Sequence, residues 1–158
     1  MFTDREIDRV VTLAREIWRE HYTPIIGSDQ VSYMLAQIHT KSTIRNEIDN
    51  LKYSYFLVRE HDLDAGYLGV QVGDQRVFLS KIYIRYRLRG RGIGKATMAF
   101  VREFACLHGL SKISLTVNKY NCDTIEAYQS LGFQKTGSVV SDIGAGYVMD
   151  DYLMETRV

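Results

Sequence analysis

The apolar run Val77–Ile84 leads through Arg89-Gly90-Arg91-Gly92-Ile93-Gly94 into an amphipathic stretch, Ile93 to Leu107, and then into a second alternating run, Lys112–Val117. Strand, helix and strand in that order require a crossover, so the two strands are expected to lie parallel in one sheet. Glycines at the join let backbone N–H groups crowd a single anion, and the first helical turn adds free donors and partial positive charge. Arg85, Arg87, Arg89 and Arg91 stand at alternate positions around this turn, and Lys95 follows. No acidic residue occurs between Asp74 and Glu103. Together these features predict a site for a polyanion.

The rest of the chain fits around that unit. Ile7, Val10, Val11, Ala14, Ile17 and Trp18 recur at helical spacing, so a helix is expected from Asp4 to about His21, stopped by Thr23-Pro24-Ile25-Ile26-Gly27. Ser28 or Asp29 is expected to cap a second helix carrying Val31, Met34, Leu35 and Ile38, and Ser42–Leu51 reads as a short third. Tyr53–Arg59, Gly66–Val72 and Val77–Ile84 form an antiparallel meander. The helix from Ile93 should bury Ile93, Thr97, Phe100, Phe104 and Leu107 and end at Gly109. Asn121 is placed to cap a helix that Gly132 ends, and Phe133–Val140 and Tyr147–Glu155 are the last strands.

With 158 residues, 46% hydrophobic and 25% charged, a single domain over 1–158 is expected. A net charge of +1 makes the arginine loop a local patch rather than part of a nucleic-acid or membrane surface. Cys106 and Cys122 read as reduced thiols, neither a disulfide framework nor a metal site. No apolar run approaches the roughly 20 residues needed to cross a bilayer, and no signal-peptide core follows Met1, so a cytoplasmic protein is expected.

Three glycine-loop patterns compete. A P-loop needs a glycine five residues before Gly94 and a hydroxyl after Lys95; Arg89 and Ala96 stand there. A dinucleotide fingerprint starts at Gly90-Arg91-Gly92, but Lys95 takes the third glycine position. Arg-x-x-Gly-x-Gly is matched in full by Arg89, Gly92 and Gly94. A second signature follows: Leu115-Thr116-Val117-Asn118-Lys119-Tyr120-Asn121, then Ala127-Tyr128 and Leu131-Gly132-Phe133. On these two motifs, and on the strand order from Tyr53 to Glu155, the chain resembles the GCN5-related N-acetyltransferase (GNAT) family, of the bacterial small-molecule or protein acetyltransferase type.

The resemblance implies an α/β fold: a central mixed, mostly antiparallel twisted sheet with a βαβ crossover and flanking helices. It implies acetyl-CoA as co-substrate, with no metal. Backbone N–H groups of Arg89, Gly90, Arg91, Gly92, Ile93, Gly94 and Lys95 would cradle the pyrophosphate, since a side chain at Gly92 or Gly94 would block close approach. Arg87, Arg91 or Lys95 could reach the 3′-phosphate. The main chain of Ile82, Tyr83 and Ile84 would pair with the pantetheine arm as a strand would, and a backbone N–H near Ile82 or Ile84 would polarise the thioester carbonyl. Tyr128 matches the family's proton donor to the leaving thiolate. Asn118 and Asn121 would touch the cofactor arm, cap the next helix, or both.

An ammonium has no lone pair, so a base is also needed. Many family members carry a glutamate on the strand before the loop, where this chain has Phe78, Ser80 and Lys81. Candidate bases are a water relayed from Ser80 or Tyr83, His21, and Asp150 or Asp151. The acceptor side implied by the fold includes Trp18, Tyr22, Tyr33 and Asp150, aromatic and acidic groups that suit an organic cation. Ile82-Tyr83-Ile84 and the helix-rich N-terminus are similar to bacterial acetyltransferases of polyamine type. The expected activity is direct acetyl transfer to a small-molecule or peptide amine, with no nucleic-acid or membrane partner; a homodimer is allowed. The alternatives are a non-catalytic acyl-CoA sensor and a nucleic-acid module built on the arginine loop.

Overall fold

A computed structural model describes residues 2–158. Five helices and six strands follow the order α1 Asp4–Ile26, α2 Ser28–Gln37, α3 Lys41–Asn50, β1 Tyr53–Glu60, β2 Leu63–Val72, β3 Val77–Ile84, α4 Ile93–Leu107, β4 Lys112–Asn118, α5 Cys122–Ser130, β5 Gln134–Gly144 and β6 Tyr147–Arg157. The hydrogen-bonded strand order is β1-β2-β3-β4-β6-β5. The β3–β4 pair is parallel, at Val77↔Ile113 and Phe78↔Ser114. β1–β2, β4–β6 and β5–β6 are antiparallel. The expected mixed, mostly antiparallel sheet with a crossover is therefore present. Among the described residues no helix is long and apolar enough to cross a membrane.

The chain divides into two compact units, one reaching to Val72 together with Ser80–Thr97, the other Gly73–Leu79 with Met98–Val158. In the first, Thr3 and Glu6 form a reciprocal capping box at the start of α1. Ile7, Val10, Leu13, Ala14, Ile17 and Trp18 are its buried stripe. The helix continues past His21 to Ile26 with Pro24 inside it, and only Gly27, at φ 88°, stops it. Proline lacks an N–H and so removes one rung of the ladder, but the turn closes through Gly27 N–H donating to the Thr23 carbonyl at 3.0 Å. Gly27, not Ser28 or Asp29, occupies the cap position of α2. Thr40 caps α3 by accepting from Thr43 N–H at 3.2 Å.

In the second unit, Ile113, Leu115 and Val117 form the buried face of β4, and Met98, Val101 and Ala105 are buried on α4. Phe100 and Leu107 are instead exposed, at 41% and 79%. The buried stripe follows the i, i+4 row through Val101 and Ala105. Phe100, Phe104 and His108 stack along the neighbouring row, with centroids 6.5 and 4.2 Å apart. β5, paired with β6, is exposed along almost its whole length.

Candidate active site

The loop after β3 is pinned at both ends. Ile84 and Leu88 are buried with Ala65, and Val58 and Ile93 pack against them. Between these anchors the chain makes a single 3-10 turn, Tyr86–Leu88, with Leu88 N–H donating to the Arg85 carbonyl at 2.9 Å. Gly90 and Gly92 then adopt φ of 77° and 79°, the left-handed region that a side chain would strain. The Gly92 carbonyl accepts from Ala96 N–H at 3.0 Å, so Ile93, Gly94 and Lys95 N–H are first-turn donors of α4. Gly94 differs from its two neighbours. Its φ lies outside the left-handed range, and a Cβ there would meet nothing within 4 Å.

Three of the four loop arginines are engaged by groups distant in sequence. Arg85 pairs with Glu16 of α1 at 3.1 Å, and Arg91 with Glu60 of β1 at 2.9 Å. Arg89 Nε donates to the Ile84 carbonyl at 3.1 Å and its Nη1 to His21 Nδ1 at 3.4 Å. The gap in acidic residues along the sequence is thus filled in space. At 57% exposure on Arg91, its pair is the weakly stabilising surface kind and readily exchanged for a stronger anion.

On the neighbouring part of β3 the Tyr83 and Tyr22 hydroxyls share a hydrogen bond of 3.0 Å. Trp18 is 4% exposed and stacked on His39 at 4.9 Å, so it is a core residue rather than an open cation face. Tyr33 is half-buried on α2. His39, 1% exposed, shares a hydrogen bond of 3.0 Å between its Nε2 and the Tyr67 hydroxyl. Burial, with Lys81 adding to it, holds the imidazole down to about 3.

The β3 positions where an acid was sought belong to a buried network. Lys81 Nζ meets Glu47 Oε2 of α3 at 3.2 Å and donates to Ser80 Oγ at 3.1 Å. Its ammonium lies 5.2 and 5.5 Å from the Tyr53 and Tyr55 ring centroids. The Tyr55 hydroxyl donates to the same Glu47 oxygen at 2.9 Å. Burial pushes the Lys81 ammonium below its ordinary value, partly opposed by Glu47. This network escaped the sequence reading, although Glu47 lies three residues after Ile44 on the buried face of α3.

In the second unit β4 ends at Asn118, whose side-chain carbonyl accepts from Tyr120 N–H at 2.9 Å. Asn121 occupies the cap position of α5 and is 4% exposed, yet its side chain makes no capping hydrogen bond. At φ −86° and ψ 64° it lies outside the extended region of an ordinary N-cap, and the expected side-chain cap is not made. Tyr128 is half-buried, its ring 5.5 Å from Phe133. Asp150 pairs with Lys119 at 2.9 Å. Asp151 beside it is 5% exposed, and its Oδ1 has no hydrogen-bond partner. The first unit therefore gathers Ile82, Tyr83, Ile84, Tyr22 and the loop Arg89–Lys95. Asn118, Asn121, Tyr128 and Asp150 belong to the second.

Comparison with known proteins gives a consistent result. The family model described as Acetyltransferase (GNAT) family matches residues 11–133. N-acetyltransferase family 8 member 2 of Rattus norvegicus is 34% identical over 65 residues, 41% of this chain and 29% of that protein. Spermine/spermidine N(1)-acetyltransferase of Bacillus subtilis is 34% identical over 65 residues, 40% of this chain and 43% of that protein. The chain thus spans less than half the length of these curated relatives. The crystal structure of the PaiA N-acetyltransferase of Thermoplasma acidophilum in complex with coenzyme A superposes with a TM-score of 0.79 at 16% identity. It covers 99% of this chain and 95% of that one, which is a likeness of fold.

Proposed function

Because the chain belongs to the acetyltransferase (GNAT) family, we propose that it acts as one catalytic domain over 1–158, transferring the acetyl group of acetyl-CoA to a primary amine. One observation carries the cofactor part of this reading. Gly94 has neither a left-handed backbone nor a crowding neighbour. Glycine inside a helix destabilises by roughly 0.5–1 kcal/mol relative to alanine, so a group outside the protein is the remaining reason for it. A diphosphate resting on the first-turn donors Ile93, Gly94 and Lys95 supplies that reason. The main chain of Ile82, Tyr83 and Ile84 takes the pantetheine arm, and Asn118 and Asn121 serve it from the other unit. The absence of an Asn121 side-chain cap supports that role.

In the transfer step a β3 N–H polarises the thioester carbonyl, the amine nitrogen attacks it, and Tyr128 gives its phenolic proton to the departing sulfur. Tyr22, Tyr33 and Asp150 suit a cationic amine, and the polyamine acceptors in the name of the Bacillus subtilis relative favour a small-molecule acceptor of that kind. The buried position of Trp18 removes it from direct contact with the acceptor. A second reading is favoured by the missing strand carboxylate: Ser80 and Lys81 are committed to the Glu47 network, as in a domain that senses acyl-CoA without turnover.

Calorimetric titration of acetyl-CoA into wild type and Gly94→Val tests the reading. Binding by wild type and its loss in a variant that still melts cooperatively is the expected result; absence of binding to wild type refutes it. A panel of polyamines, amino acids, aminoglycosides and peptide N-termini, scored for acetylated product by mass spectrometry, then separates enzyme from sensor.

A further inference from the structure

The reaction needs a proton acceptor, and the structure removes most candidates by giving them partners. Ser80 Oγ accepts from Lys81, and the Tyr83 hydroxyl is bonded to Tyr22. His21 Nδ1 accepts from Arg89, and the Asp150 carboxylate is paired with Lys119. Asp151 remains. It lies on β6, the strand hydrogen-bonded on both sides, opposite Asn118 of β4 and Val139 of β5. A carboxylate 5% exposed on a doubly paired strand, with Oδ1 unbonded, carries an uncompensated desolvation cost. Such a group persists where something other than folding uses it.

We propose that Asp151 is the catalytic base, its Oδ1 taking a proton from the incoming ammonium. The inference rests on the acetyltransferase reading above. Asp151 and the proton donor Tyr128 flank the same β4–α5 connection: Lys119 N–H donates to the Asp150 carbonyl at 3.1 Å, and Asn121 N–H to the Asn118 carbonyl at 3.0 Å. The protons balance. The ammonium gives one to Asp151, and the freed lone pair attacks the thioester carbon. As the C–N bond forms and the C–S bond breaks, the nitrogen sheds a second. One proton ends on the thiol by way of Tyr128, and the other passes from Asp151 to solvent.

The groups around Asp151 favour a working base. Burial raises its carboxyl above the ordinary range, Asp150 on the same strand adds to that, and Lys119 after β4 opposes it. Asn118 and Val139, its partners across the two ladders, do not titrate.

The test is Asp151→Asn, with Asp151→Ala as a second variant should the first fold poorly. Turnover is followed across pH with spermidine, or with the panel amine acetylated fastest. A loss of roughly 10²-fold or more is expected at neutral pH. That loss should shrink about tenfold per pH unit as the free amine appears in solution. Acetyl-CoA affinity should match wild type. A deficit constant across pH, or near-normal turnover at neutral pH, overturns the assignment while leaving the enzyme reading intact. Wild type that binds acetyl-CoA but acetylates no amine overturns both the base and the enzyme, and leaves the sensor. Wild type that binds no acetyl-CoA overturns the function itself.

Discussion

Lowering the pH from 7.5 to 5 should weaken the fold by about 2 kcal/mol through His39 alone. In the unfolded chain this imidazole titrates near 6.5, whereas in the fold it is held to about 3. Between those values the unfolded state binds a proton that the folded state refuses, so acid favours unfolding. The contribution is fully present above the unfolded pKa and is lost as pH falls towards the folded one. Each pH unit inside that window is worth about 1.4 kcal/mol, and pH 5 lies about 1.5 units into it. For a chain of this size about 1 kcal/mol moves the melting temperature by roughly 2–4 °C, so a drop of roughly 4–8 °C is expected. Melting temperatures of wild type and His39→Gln, which can keep the bond to the Tyr67 hydroxyl, are compared at both pH values. Other titrating groups cancel in the difference, including Asp151, whose raised carboxyl works in the opposite direction. Parallel pH dependences of the two proteins, or an NMR titration of His39 near 6.5, would refute the reasoning.

Tyr128→Phe should lower turnover by roughly 10²-fold with acetyl-CoA affinity little changed; steady-state rates beside calorimetry decide it, and near-normal turnover removes the proton-donor role. At Gly66 a methyl would overlap the Tyr83 carbonyl oxygen outright and meet Ile84 Cα at 3.0 Å. Gly66→Ala should therefore destabilise by about 1–3 kcal/mol, as overpacking does, and weaken acetyl-CoA binding by displacing the Ile82–Ile84 main chain. An unchanged melt and affinity would show that β2 and β3 yield there at no cost.

The crossover unit was the most legible part of the sequence. β3 and α4 were expected at the residues where they occur, because alternating apolar positions, two left-handed glycines and a 3.6-residue period agree there. Legibility failed where one local signal met a stronger distant one. Pro24 reads as a stop, yet α1 runs through it, since proline in the last turn forfeits one hydrogen bond while Gly27 provides the termination. The α4 face was drawn one row off, because Phe100 and Phe104 are large and apolar but stack on each other and on His108. In the candidate site the glycine loop was readable from adjacent residues. The partners of Arg85, Arg89 and Arg91 were not, since Glu16, His21 and Glu60 lie tens of residues upstream. Asp151 could be named as a candidate but not separated from Asp150, because only the fold shows which carboxylate has already found its lysine.

The Lys81–Glu47 contact binds two positions of the chain into one choice. A lysine in a strand that is otherwise apolar is acceptable only while a carboxylate from α3 faces it. Either residue replaced alone leaves a stranded charge, whereas a matched pair of apolar residues removes the need for both. Sequences that diverge from this one should therefore change these two positions together, and a chain with only one of the two should be found rarely, or with a new partner nearby.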